Sequence, residues 1–374
     1  MKLTWEQVRA RRCARSRLVA RAPRGELVDV VRAVGGIQAQ LQSAAEIGIG
    51  IRVADIGACD VQSELWERRS LVRTWTLRGT LHLHPADELG LWTAALRAAS
   101  GSPYAEYGLD RRQAEALLQA FADALDGREL LREELADEVS GRVGNWARGP
   151  ISSGWAFLIG DAAVAGLLCH GPPRGSKVTF VRPDQWLGGV GEVDEQDAPT
   201  IVARRFLAAY GPATPREFRQ WLSSRSYTDA AAARVFESLR EELVEVDVEG
   251  RQAWLIADDA DEVVVESTVR LLPQYDCYVI GFREREHLLW GHARELFWDT
   301  RWKKSGRYET PVGFSNVLVN GAIAGKWERR RRGRRLEIEV ETAKRLTAAQ
   351  RKMLSVEAER IADFLGSDLR ELNV

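Results

Sequence analysis

No two of the four cysteines, Cys13, Cys59, Cys169 and Cys277, stand in a C-x-x-C arrangement. Structural zinc sites and disulfide frameworks both need clustered sulfur, so the scatter argues against a zinc site and for a reducing compartment. Histidine is as sparse. His82 and His84 lie two apart, but His170, His287 and His292 sit in unrelated contexts, so no compact set of three or four metal ligands is present. No segment approaches the roughly 18 consecutive apolar residues that a membrane span requires. Met1-Lys2-Leu3-Thr4-Trp5 leads straight into a charged helix, and the expectation is a cytoplasmic protein with no signal or anchor. The phosphate-binding GxxxxGK[ST], the GxGxxG dinucleotide fingerprint and the GxSxG nucleophile elbow are all missing. Nucleotide hydrolysis, hydride transfer and serine-hydrolase chemistry therefore lack support, and no cofactor is expected.

What is present is charge, nearly balanced overall and uneven along the chain. The net charge is −1 over 374 residues. Lys2, Arg9, Arg11, Arg12, Arg15, Arg17, Arg21, Arg24 and Arg32 crowd the first 34 residues, and Lys326, Arg329, Arg330, Arg331, Arg332, Arg334 and Arg335 make a second basic block. Acid collects in residues 237–266. Each basic run is either one side of an anion-binding surface or a solvated face. The length exceeds what one core supports, so two or more packed units are expected.

Local patterning repeats three times. Apolar residues at helical spacing through Leu27, Val28, Val30, Val31 and Val34 end at Gly35-Gly36. Later, Leu71 to His84 alternates as a hairpin turning near Arg78-Gly79. Helical stretches over 110–140 and 153–168 precede a second strand, basic turn and strand around Arg174-Gly175-Ser176-Lys177. Helical patterning at 199–210 and 229–243 precedes a third hairpin about Glu249-Gly250. An acidic stretch at 190–198 reads as a linker. Residues 271–374 alternate strands and close on an amphipathic helix at 347–365. The expected fold class is α+β, with units at 1–108, 109–190 and 199–270 in the outline of a winged helix and a β-rich region at 271–374.

Gly35-Gly36-Ile37-Gln38-Ala39-Gln40 is the most informative stretch. Two glycines break the helix, and glutamines two apart share one face of any extended segment. A carboxamide pair orients water or steadies a developing cation without ionising at any working pH. A polar stretch at a helix end is the alternative. His82 and His84, beside Arg73 and Arg78, are candidates to contact a phosphate or sugar, or are surface histidines on an edge strand. Arg174 and Lys177 offer two cations on a turn suited to phosphate contacts, or form a solvated loop. Asp276, after the apolar Leu271-Leu272-Pro273, is a candidate catalytic carboxylate or a turn former.

The chain resembles the winged-helix DNA glycosylases of the AlkZ/YcaQ type. The resemblance extends over nearly the whole length. It rests on Gly36-Ile37-Gln38-Ala39-Gln40, the run Arg69 to Leu83, Leu271-Leu272-Pro273-Gln274-Tyr275-Asp276 and the run Val319 to Trp327. It implies three winged-helix units forming a C-shaped concave surface that grips double-stranded DNA. Gln38 and Gln40 then match the family's catalytic glutamine-x-glutamine. The implied activity is that of a monofunctional glycosylase removing N7-alkylated purines, including the linked bases of interstrand crosslinks. Some members of the two-glutamine branch serve self-resistance to genotoxic natural products. Two other readings stay open at this point, a non-catalytic winged-helix DNA-binding regulator and a toxin-sequestering protein. No dimerisation heptad is visible, which argues against a dimeric regulator, and a monomer is the default expectation.

Overall fold

The computed structural model describes residues 1–99, 108–153, 157–222, 227–259, 265–297 and 311–374. The architecture is mixed α and β, and no helix among the described residues is long and apolar enough to cross a membrane. The chain divides into two compact units assembled from separated stretches. The first comprises Met1–Val61, Arg204–Gln220 and Leu239–Val374, and the second Gln62–Ala203 and Trp221–Ser238.

In the first unit, helix Trp5–Arg15 begins at a reciprocal cap. Gln7 donates its backbone N–H to the Thr4 hydroxyl, and Thr4 donates its own to the Gln7 carboxamide. The residues before it are not the plain lead-in expected from the sequence. Lys2–Leu3 adds as a parallel edge to strand Leu243–Val248, which pairs with Arg251–Ile256. Glu249 and Gly250 carry that hairpin turn at φ 51 and 90, the left-handed conformations that a two-residue turn matching strand twist needs. Val8 of the helix packs with Val246, Val248, Ala253 and Leu255 of the strands.

The rest of this unit is a five-stranded sheet in the order Val269–Leu272, Asn316–Val319, Ala322–Arg332, Arg335–Thr342 and Asp368–Asn373. The first four run antiparallel and the last is parallel to its neighbour. Helix Ala348–Phe364 follows the expected 347–365 span and starts at a Thr347/Gln350 capping box. Its Glu357, 2% exposed, takes the guanidinium groups of Arg21 at 2.5 Å and Arg270 at 3.4 Å. The second basic block lies at the free end of a hairpin, where Arg332 pairs with Arg335 and Arg330, Arg331 and Arg334 are exposed.

The second unit contains two of the expected hairpins. Leu71–Trp75 pairs antiparallel with Leu81–Pro85, and the turn at Arg78 and Gly79 takes φ 59 and 64. Cys169–Arg174 pairs with Lys177–Val181, and Leu130–Leu131 adds to the other edge. Helices Arg111–Ala124 and Arg132–Val143 supply Leu117, Phe121, Leu135 and Val139 to a core shared with Leu158, Ile159 and Phe180. All four cysteines are free.

Candidate active site and nucleic-acid interface

Helix Leu27–Ala33 is stopped by Gly35 and Gly36 at φ 69 and 97. Their N–H groups donate to the carbonyls of Arg32 and Val31 at 3.1 and 3.0 Å, so the reversal satisfies carbonyls that the helix end leaves open. Side chains with a Cβ adopt such φ values at a cost, which is why two glycines stand here. The chain then extends over Ile37–Gln38 and bends at Gln40 before helix Gln42–Gly50. The extended segment is thus shorter than the glutamine pair. Ile37 and Ala39 are buried at 3% and 0%, and Gln38 is 9% exposed, whereas Gln40 is exposed. One glutamine is covered and the other lies on the surface.

A carboxylate that the sequence reading passed over lies just beyond. Gln42 donates its side-chain N–H to Glu46 Oε1 at 3.0 Å, and Glu46 is 7% exposed. The i, i+4 spacing of Gln42 and Glu46 was the available signal. Among the described residues no group of three or more His, Cys, Asp or Glu is placed to hold a metal ion.

Asp276, a catalytic carboxylate or a turn former on sequence grounds, is buried and fully engaged. Its carboxylate accepts two bonds from the Arg52 guanidinium, at 2.8 and 2.7 Å, and caps the backbone N–H of Tyr278 at 2.9 Å. Both side chains are at most 1% exposed. Burial works against the Arg52 charge, but Asp276 outweighs it and raises the guanidinium pKa. Engaged by Arg52 and by the Tyr278 N–H, Asp276 takes the turn-forming role that its sequence position also offers.

His82, His84 and Arg73, expected to contact a phosphate or sugar or to sit on an exposed edge strand, are covered in this structure. Residues Leu71–Trp75 and Leu81–Pro85 are buried throughout, so alternation here marks two covered faces and not an exposed edge. His82 and His84 are 1% and 0% exposed, and Arg73 is 7% exposed. His84 Nε2 bonds the Thr76 hydroxyl at 2.8 Å and its ring lies 4.4 Å from that of Trp92. Burial pushes the His84 pKa down to about 3. Burial, then Arg78 and His84, holds His82 well below the usual imidazole value. Both rings are neutral at working pH. Arg78 is partly buried, donates to the Trp221 carbonyl at 3.0 Å and lies 3.1 Å from His82 Nε2.

Arg174 and Lys177 are exposed and face each other across the turn at Gly175, whose φ is 63. Their situations differ. Arg174 is held by Glu134 at 3.1 and 3.2 Å and lies 3.5 Å from Glu129. An open hollow of about 740 Å³ beside it is lined by Arg128, Glu129, Glu134, Glu138, Arg142 and Arg174. Arg128 and Arg142 both pair with Glu138, and with Asp137 also in the lining the carboxylates outnumber the arginines, so the hollow offers an anion little.

The family model described as DNA glycosylase AlkZ-like matches residues 31–364. The chain is 34% identical over 340 residues to an interstrand DNA cross-link repair glycosylase of Streptomyces sahachiroi, covering 88% of each protein. Its fold superposes on the solved structure of Streptomyces sahachiroi DNA glycosylase AlkZ with a TM-score of 0.84 at 30% identity, over 99% of this chain and 100% of that one. The Gln38-Ala39-Gln40 loop falls inside the matched region, and the chain belongs to the AlkZ-like family of DNA glycosylases.

Proposed function

We propose that this glycosylase hydrolyses the N-glycosidic bond of N7-alkylated purines in double-stranded DNA, with Gln38 and Gln40 as its catalytic residues. An N7-alkyl purine is cationic and already a good leaving group. As the C1′–N9 bond breaks, its electron pair neutralises the base and the sugar passes through an oxocarbenium-like state. Water oxygen then bonds to C1′ and its proton leaves to solvent. Such a reaction needs positioning and electrostatic support more than a strong acid. Gln40 binds the attacking water, and the Gln38 carbonyl orients it or stabilises the sugar cation.

The observation that supports this reading is the contrast within the motif: Gln38 is 9% exposed, while Gln40 lies on the surface. Neither ionises, which suits a substrate that brings its own charge. Arg174 and Lys177, on their exposed turn, contact backbone phosphate, and Arg78 supports the hairpin behind them in sequence. The winged-helix units span 1–108, 109–190 and 199–270, followed by the β-rich region 271–374. The reading extends to unhooking of interstrand crosslinks as self-resistance to a genotoxic natural product. It takes support from the relative named as an interstrand DNA cross-link repair glycosylase. The enzyme acts as a cytoplasmic monomer without cofactor.

The test is a duplex carrying one N7-methylguanine and a second carrying an N7-linked crosslink. Each is incubated with the protein, heated in alkali and examined for breaks at abasic sites. Cleavage that vanishes in the Gln38/Gln40 double variant is expected. Cleavage that persists in it places the catalytic centre elsewhere, and no cleavage by the unaltered protein removes the N7-alkylpurine reading.

A further inference from the structure

The residue after Gln40 is apolar and turned to solvent. Leu41 is 45% exposed, one of few large apolar side chains so placed among the described residues. It forms the lip of a cleft of about 270 Å³ that also takes in Ser43 and Ile47 from helix Gln42–Gly50, Pro273 and Phe314 from the loops, and Arg329 from strand Ala322–Arg332. The cleft lies wholly within the first unit. Its volume is near the lower end of pockets that enclose small organic molecules, about 300–1,000 Å³. A methyl group needs almost none of that space.

The lining has one further unusual member. Arg329 is partly buried, and its side chain makes no hydrogen bond or ion pair to the described residues, whereas Lys326 in the same wall is held by Glu341 at 3.0 Å. Burial, then the like charge of Arg331, presses the Arg329 pKa below the usual guanidinium value, against the pull of Glu46. A half-desolvated guanidinium with open donors is a site for an oxygen acceptor. The apolar part of the lining is firm. Ile47 is 2% exposed, and Phe314 meets Phe297 edge to face at a 5.5 Å centroid distance. Gln274 fastens the loop by donating to the Gly313 carbonyl at 3.0 Å.

We infer that this cleft is a subsite for the substituent on the damaged base, and that it takes a planar aromatic group bearing a carbonyl or other oxygen acceptor. The inference rests on the proposed N7-alkylpurine activity. With Gln40 serving the glycosidic bond, an N7 substituent leaves the purine a short distance from the reacting carbon, and the cleft opens at the adjoining residue. Leu41 and Phe314 supply apolar contact to the ring system, and Arg329 donates to its oxygen. The subsite thereby discriminates between bulky aromatic adducts and simple methyl lesions.

The test uses two duplexes, one with N7-methylguanine and one with N7-(coumarin-4-ylmethyl)guanine, a planar bicyclic adduct with a lactone carbonyl. The readout is the ratio of kcat/KM for the coumarin adduct to that for the methyl lesion. Ser43 is exposed, so Ser43→Trp fills the cleft mouth without entering the core. Arg329→Gln removes the charged donor as a second, independent variant. Each is expected to lower the ratio by about tenfold or more, the discrimination one shaped pocket or hydrogen bond typically supplies. Because both lesions are measured on the same preparation, partial unfolding cancels from the ratio. Ratios within about twofold of the unaltered protein in both variants overturn the inference. So does excision of methyl but not coumarin lesions by the unaltered protein, which leaves the glycosylase reading standing. Excision of neither lesion defeats that reading and the subsite with it.

Discussion

Arg52 and Asp276 meet through two parallel hydrogen bonds of 2.8 and 2.7 Å, with side chains 0% and 1% exposed, 224 residues apart in sequence. Arg52 also donates to the Gly48 carbonyl at 2.7 Å, which ties the end of helix Gln42–Gly50 to the turn after strand Val269–Leu272. The pair fixes the helix that follows Gln38-Ala39-Gln40.

Asp276→Asn leaves the buried Arg52 cation without its partner, and removal of one member of such a pair costs about 3–5 kcal/mol. Urea unfolding of the variant is expected to show that loss, with kcat on N7-methylguanine within a few-fold of normal below the unfolding transition. A loss of kcat beyond about 100-fold in a fully folded variant returns Asp276 to the reaction.

Gln38→Ala and Gln40→Ala are each expected to lower the excision rate by roughly 10–1,000-fold, in line with loss of one preorganised polar contact. Affinity for damaged duplex changes little, because the carboxamides act at the reacting carbon and carry no phosphate contact. Single-turnover rates alongside duplex binding separate the two effects, and unaltered rates in both variants sink the assignment.

Four histidines are neutral in the folded protein. Burial takes His84 to about 3, burial followed by Arg12 takes His287 to about 2, and His82 and His170 are held well below the ordinary value. The unfolded chain takes up protons below about pH 6.5 and the folded chain does not. The stabilisation is therefore complete above pH 6.5 and is lost as pH falls, by about 2 kcal/mol per imidazole at pH 5. Urea midpoints are expected to drop between pH 7 and 5. They should drop less in His84→Gln, and an identical slope in that variant contradicts the assignment.

Excision itself is expected to be flat from about pH 6 to 9, because no group in the glutamine loop titrates there. Below that window, activity declines with the folded fraction. A limb near neutrality that survives when rates are corrected for folded protein identifies a missed acid or base.

Lys177→Ala is expected to weaken binding of any duplex and to reduce the slope of log affinity against log salt by about 1, the mark of one lost phosphate contact. Arg174→Ala moves that slope less, because Glu134 and Glu129 already engage its guanidinium. His84→Gln leaves it unchanged, since the imidazole is 0% exposed. Equal slope changes for His84 and Lys177 contradict the buried placement.

Short-range chemistry specifies the local turns and the motif. Gly35-Gly36 stops a helix because its φ values of 69 and 97 are strained for other residues, and the hairpin turns at Arg78-Gly79 and Glu249-Gly250 announce themselves by short-range chemistry. Helix Ala348–Phe364 was legible from its amphipathic spacing. Exposure was not. His82 and His84 alternate as edge-strand residues do, yet both faces of their strand are covered, and alternation carries no information about a second covering layer. The parallel pairing of Lys2–Leu3 with Asp247 and Val248, and the Arg52–Asp276 pair, join residues more than 200 positions apart. The cleft beginning at Leu41 likewise draws on residues near 273, 314 and 329. No local pattern encodes such contacts, because their free energy comes from burial and desolvation that arise only when distant segments pack.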